Sequence, residues 1–329
     1  MNQTIQTDIN LKKNLKAIVI GVHYYRFFSQ DSQLAGAEND AREVRKFLLN
    51  EWQIPDENIV FPGKYGSVDY AEAEDAIIKT LDGMKEDENL LLYYAGHCEM
   101  GQNSQKGLCF LTFSDTKMNT KTEELHNVLA LNVLNEKLRE CKAKVKVRVF
   151  DCCHSGERFS DLSDYLAQKQ DVKVGGLVGA RALTPAAPEE SAGVPNGPSF
   201  TSRSLEEGMY KEMMRNEKGW VTFTGCNINE TSNEVNRNHH RYPYNYRGIF
   251  TYCFLEGLSG AAKRDDGPLY IEDLKLYTYD AVLREVDYWN EVYRREYYEE
   301  RLDLRYGPYE PMVQHMQYQC SISGNITVD

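Results

Sequence analysis

The sequence predicts an α/β fold, with a mainly parallel sheet covered by helices on both faces. Short β-branched or apolar runs alternate along the chain with segments whose apolar residues recur at helical spacing, and this β-α-β-α order builds parallel sheets. The runs at 17–25 and 90–97 carry few polar residues, as strands buried within a sheet do. A chain of 329 residues with 41% apolar residues can also bury a substantial core, as one large domain or two small ones.

The elements follow in order. Ala17–Tyr25 is expected to be the first strand, and Glu38–Glu51 a helix with Ala41, Val44, Phe47 and Leu48 on one face. Asn58–Phe61 is a short strand and Ala71–Lys85 a helix carrying Ala76, Ile77, Leu81 and Met84. The strand Leu90–His97 comes next, then a strand over Gly107–Phe113 and a helix over Val128–Glu140. Val145-Lys-Val-Arg-Val-Phe150 alternates apolar and charged residues and forms the next strand.

After about residue 171 the pattern stops. Residues 174–198 are rich in Gly, Ala and Pro without a period, which marks a loop or linker long enough to suggest a role. Structure resumes with a strand at Trp220–Thr224 and helices over Gly248–Leu258 and Ile271–Val286. The Tyr-rich, highly charged stretch from Tyr277 to Tyr309 is expected to be an amphipathic helix, with a partner-docking surface as its alternative. No internal repeat is present.

Composition narrows the function class. A formal charge of −12 argues against nucleic acid or an anionic membrane as main partner. No run of 18 apolar residues is present, so no transmembrane helix is expected. The N-terminus lacks the basic and apolar regions of a signal peptide, which makes a cytoplasmic location the default expectation. Most of the eight cysteines lie in apolar runs and none form Cys-x-x-Cys pairs, so reduced thiols are expected rather than disulfides or zinc.

Two strand ends carry the chemistry. One is Asp151-Cys152-Cys153-His154-Ser155-Gly156, directly after the β-branched run, and the other is His97 at the end of Leu90–His97. Strand ends of a parallel sheet open onto a crevice, so a cysteine and a histidine there form a candidate nucleophile and base. Adjacent strand residues point to opposite sides, so only one of Cys152 and Cys153 can face the crevice.

At these residues the chain resembles the caspase and metacaspase superfamily of cysteine peptidases. The resemblance rests on Tyr94-Ala-Gly-His97 and Asp151-Cys-Cys153-His-Ser-Gly156, on Ala17–Tyr24 with Leu34-Ala-Gly-Ala-Glu-Asn-Asp40-Ala41, and on Thr222–Glu234 with Gly248-Ile-Phe-Thr251. It covers roughly residues 17–260 and implies an α-β-α sandwich of about six strands. The parts it implies are an N-terminal tail (1–16), a large-subunit-like region (17–170), an intersubunit linker (171–217) and a small-subunit-like region with a helical C-terminal extension (218–329).

The resemblance further implies roles for single residues. Cys153 is the nucleophile and His97 its base. The backbone N–H groups of Cys153 and of Cys98, which replaces the family's Gly, form the oxyanion site. Asp40 and Asp151 line an acidic pocket for Arg or Lys. Arg181 and Arg203 are candidate self-cleavage points. No cofactor is implied beyond calcium, on which many metacaspases depend; the chain is acidic but has no EF-hand loop, and calcium activation stays open.

Protein or peptide substrates with basic residues, and an activating partner, are the expected partners. Three alternatives stand beside this reading: cleavage after Asp, using Arg241 or Arg247; a silent scaffold that binds partners; and a non-peptidase cysteine hydrolase.

Overall fold

The computed structural model describes residues 9–152, 178–180, 211–227, 230–236, 246–264, 267–300, 311–322 and 325–328. The chain enters through a two-residue strand, β1 (Ile9–Asn10), and then runs through β2 (Leu15–Gly21), α1 (Ala35–Asn50), β3 (Ile59–Val60), α2 (Tyr70–Asp82) and β4 (Asn89–Ala95). A three-stranded meander follows, β5 (Cys98–Met100), β6 (Cys109–Met118) and β7 (Leu125–Ala130), before α3 (Leu131–Glu140) and β8 (Val145–Asp151). Beyond these lie β9 (Val178–Ala180), β10 (Trp220–Thr224), β11 (Asn233–Asn236), β12 (Tyr246–Gly248), α4 (Ile249–Glu256), α5 (Ile271–Glu300), β13 (Gln317–Cys320) and β14 (Ile326–Thr327).

The central sheet has six strands in the order β13-β10-β8-β4-β2-β3. All pair in parallel except the edge strand β13, which runs antiparallel to β10. The predicted α/β class and the six strands are both realised. Helices α1 and α4 pack on one face, and α2 and α3 on the other. The end of β2 lies so close to α1 that a Cβ on Gly21 would sit 2.4 Å from the Ala37 carbonyl oxygen, an approach only glycine permits.

Several elements depart from expectation. The helix predicted from Val128 begins only at Leu131, because Val128 and Leu129 pair with Thr112 and Leu111 across β6. Ile9–Asn10, placed by the sequence in a tail, pairs with Ile326–Thr327, and Leu11 beside it is buried. Val178–Ala180 lies inside the predicted linker yet pairs with β11. The rest of that linker falls outside the described residues.

The charged residues of β8 are covered as well. Alternation such as Val-Lys-Val-Arg-Val ordinarily marks a strand with one solvated face. Here Arg148 is fully buried, its guanidinium 4.2 Å from the Trp220 ring centroid. It donates to Asn135 Oδ1 at 2.8 Å, Thr222 Oγ1 at 3.0 Å and the Arg215 carbonyl at 2.6 Å.

In α5 the inward residues Leu274, Ala281, Val282, Val286, Trp289 and Tyr293 recur at helical spacing and are buried, while Tyr279 and Tyr288 face solvent. The described aromatics of the helix are therefore divided: Trp289 and Tyr293 enter the core, Tyr277 is half-buried, and Tyr279 and Tyr288 face solvent.

Candidate active site

The register of β4 against β8 places Ala95 opposite Asp151, so the two strands end level with each other. His97 follows Ala95 by two residues and is completely buried. Its Nε2 lies 2.8 Å from the Ser32 carbonyl oxygen, its backbone N–H donates to the Tyr25 hydroxyl at 2.9 Å, and the Tyr25 ring lies 4.7 Å from its own. A carbonyl only accepts, so Nε2 carries the proton and in the neutral ring Nδ1 holds the lone pair. The Thr112 hydroxyl donates to the His97 carbonyl at 3.0 Å, fixing the backbone from the meander side.

Asp151 ends β8 and is also fully buried. Its carboxylate accepts from the hydroxyls of Ser232 and Thr251, and Thr251 in turn lies 2.7 Å from the Tyr93 hydroxyl. A Cβ on Gly225 would meet Ser232 Oγ at 2.7 Å and Asp151 Oδ1 at 2.9 Å, so glycine lets the chain after β10 close over this carboxylate.

Asp40, on the inner face of α1, accepts from Arg247 Nε at 2.7 Å and from the Gly248 N–H at 2.8 Å. Both acids expected to line an acidic pocket are thus buried against residues of the small-subunit-like region, with donors already on them. Glu234, which the sequence reading did not single out, is buried beside them and accepts from the Gly36 N–H at 3.0 Å in the first turn of α1. That helix start lacks a side-chain cap of its own, and a carboxylate suits its dipole.

Cys153, His154, Arg181, Arg203 and Arg241 lie outside the described residues. Cys152 is fully buried, and its carbonyl accepts from the Cys226 thiol at 3.3 Å. Cys98 sits in β5, an extended conformation open to any L residue, so replacing the family's Gly there introduces no backbone strain.

The Cys98 and Cys109 sulfurs lie 3.1 Å apart, both fully buried. Burial pushes the Cys98 thiol well up; Cys109 adds to the rise, and a hydrogen bond with Cys152 opposes it. Burial likewise pushes Cys109 up. Thiolate is the reactive form, so native protein treated with iodoacetamide should leave Cys98 and Cys109 unmodified while Cys153 reacts. Peptide mass spectrometry checks this; labelling of Cys98 as fast as of Cys153 would mean that the meander opens.

Two cavities, of about 400 and 620 Å³, lie elsewhere, one bordered by Arg264, Tyr270 and Asp273 and the other by Met214, Arg215 and Tyr318. Neither touches His97, Asp40 or Asp151. Among the described residues no group of three His, Cys, Asp or Glu is arranged to hold a metal ion. No described helix is long and apolar enough to cross a membrane.

Over the part of the chain that holds these strand ends, the sequence is similar to a family of cysteine peptidases. More particularly, residues 15–162 match the family model of the metacaspase, peptidase C14 domain. Among solved structures, protein GSU0716 from Geobacter sulfurreducens is similar at 16% identity with a TM-score of 0.44, over 83% of this chain and 89% of that one. Pro-sf-caspase-1 is similar at 12% identity with a TM-score of 0.46, over 99% and 96%. No curated protein matches the chain.

Proposed function

We propose that this cysteine endopeptidase cleaves after Arg or Lys, with Cys153 as nucleophile and His97 as base. One observation carries the reading: β4 and β8 end in register, and His97 and Cys153 each follow two residues beyond the paired Ala95 and Asp151. In this mechanism His97 Nδ1 takes the thiol proton, and the thiolate adds to the scissile carbonyl carbon. The N–H groups of Cys153 and Cys98 stabilise the oxyanion. Collapse expels the amine, which leaves with the proton from His97, and water then hydrolyses the thioester. This chemistry needs no cofactor.

Two carboxylates, Asp40 and Asp151, stand against one guanidinium, Arg247, and the negative balance favours a cationic substrate side chain. Cleavage after Asp is the second reading, and the placement of Arg247 at Asp40 is the observation in its favour. The described cysteines form no disulfide with one another, which suits the reducing cytoplasm, where we place the enzyme. Arg181 and Arg203 are our candidate self-cleavage points, and an activating partner is consistent with the chain.

The test compares wild type and Cys153→Ala on fluorogenic peptides ending in Arg, Lys or Asp, with and without calcium, and follows chain cleavage on gels. Turnover after Arg or Lys in the wild type alone is expected, with self-cleavage absent from the variant. Cleavage after Asp only, or turnover that survives Cys153→Ala, overturns the reading.

A further inference from the structure

The contact between Asp40 and Arg247 spans two parts of the chain that the sequence keeps far apart. Both oxygens of Asp40 accept from β12, Oδ1 from Arg247 Nε and Oδ2 from the Gly248 N–H. Beside them Asn39 donates to the Tyr246 carbonyl at 3.0 Å, so three successive residues of β12 are tied to one turn of α1. The two partners differ in exposure: the Asp40 side chain has no exposed surface, whereas that of Arg247 keeps 15%. The carboxylate that a substrate cation would need is therefore already paired with a guanidinium of the same chain.

We propose that Arg247 is a resident occupant of the cation pocket, an intramolecular guanidinium that a substrate's Arg or Lys side chain must displace from Asp40. This inference rests on assigning Asp40 to recognition of the substrate side chain. The exchange is like for like: the substrate re-pairs the buried carboxylate while Arg247 turns out into water, so no buried charge is left alone. Arg247 therefore acts as a competing ligand at the pocket and sets its affinity. If the pocket is open in roughly one molecule in ten, the apparent Kd rises about tenfold. The occupant also biases choice between substrates. A planar guanidinium matches the carboxylate that Arg247 vacates, while a compact ammonium makes fewer directed contacts there, so lysine displaces Arg247 less readily than arginine does.

The test measures binding of an acetylated tetrapeptide ending in Arg, and of its Lys counterpart, to Cys153→Ala and to Cys153→Ala/Arg247→Met by calorimetry. The second variant should bind the Arg peptide about tenfold more tightly and the Lys peptide with a larger gain. In the Cys153-intact protein the improvement from Arg247→Met should appear in KM, and the preference for Arg over Lys should narrow. Thermal unfolding confirms that each variant is folded. Should Arg247→Met not fold, Arg247→Lys carries the comparison, with a smaller gain of about two- to threefold. Equal or weaker peptide binding in a folded Arg247 variant overturns the inference. Cleavage after Asp that disappears with Arg247→Met overturns it together with the assignment of basic specificity. Tighter binding of the Arg peptide in a protein that turns over no peptide upholds the pocket occupant and removes the peptidase mechanism instead.

Discussion

Replacing His97 by Gln should lower turnover of the best peptide by about a hundred- to ten-thousandfold, the usual contribution of a positioned general base. Gln is the informative replacement because its amide N–H can still donate to the Ser32 carbonyl, as Nε2 of the ring does at 2.8 Å. The backbone bond from residue 97 to the Tyr25 hydroxyl is untouched by the exchange. What Gln lacks is the basic Nδ1, so the loss should fall on kcat while KM moves little. Groups that act as a unit are not additive, and the double variant His97→Gln/Cys153→Ala should be no slower than Cys153→Ala alone. The measurement is kcat and KM for single and double variants, with thermal unfolding as the control for folding. A His97→Gln enzyme within about tenfold of wild type would remove the base role from His97 and direct attention to His154.

Much of this arrangement is visible in the sequence because it is local. The helical spacing of Ala41, Val44, Phe47 and Leu48 and the apolar run of β4 require no knowledge of distant residues, and both elements form as expected. The strand ends are local too, since Asp151 closes β8 and His97 follows β4 by two residues. The partners that set the chemistry of those residues are remote in the chain. Ser32 orients His97 from 65 positions away, Thr251 reaches Asp151 across 100, and Arg247 reaches Asp40 across 207. No period or propensity encodes such meetings. They follow from the parallel crossovers, which bring α1, the end of β8 and the start of α4 together at the C-terminal ends of the parallel strands. The meander fails for the same reason: Val128 and Leu129 suit a helix by spacing but are claimed by their cross-strand partners on β6. The sequence does offer one signal of the Asp40 contact, an arginine directly before Gly248-Ile-Phe-Thr251, but nothing local separates a pocket wall from a pocket occupant.

Arg148→Met should destabilise the fold by about 2–4 kcal/mol, a large effect for one residue and one that acts far from the reacting groups. Arg148 points to the face of β8 opposite Asp151 and serves as a hub, binding Asn135 on α3, Thr222 on β10 and the carbonyl of Arg215 before β10. None of these acceptors is a carboxylate. Burial, with Arg215 nearby adding to it, pushes the Arg148 guanidinium down to about 9, which leaves it charged at neutral pH. Two effects therefore oppose each other on substitution. Methionine relieves the cost of burying a cation, and a buried charge replaced by an apolar side chain is often neutral or stabilising. Against this, three acceptors inside the protein lose their donor, at about 1–3 kcal/mol each, and the stacking over Trp220 is lost as well. Three orphaned acceptors outweigh one relieved cation, so the net change is a loss. Urea unfolding should give a lower midpoint at unchanged slope. Arg148→Lys, which keeps the charge but not the fork that spans three elements, should fall between wild type and Met. A midpoint for Arg148→Met at or above wild type would mean that desolvation of the guanidinium dominates, and that the hub is retained for the geometry of β8 and β10 rather than for stability. In either case peptide turnover by the folded fraction should keep its KM, because Arg148 and Asp151, the acid proposed to recognise the substrate, point to opposite faces of the sheet.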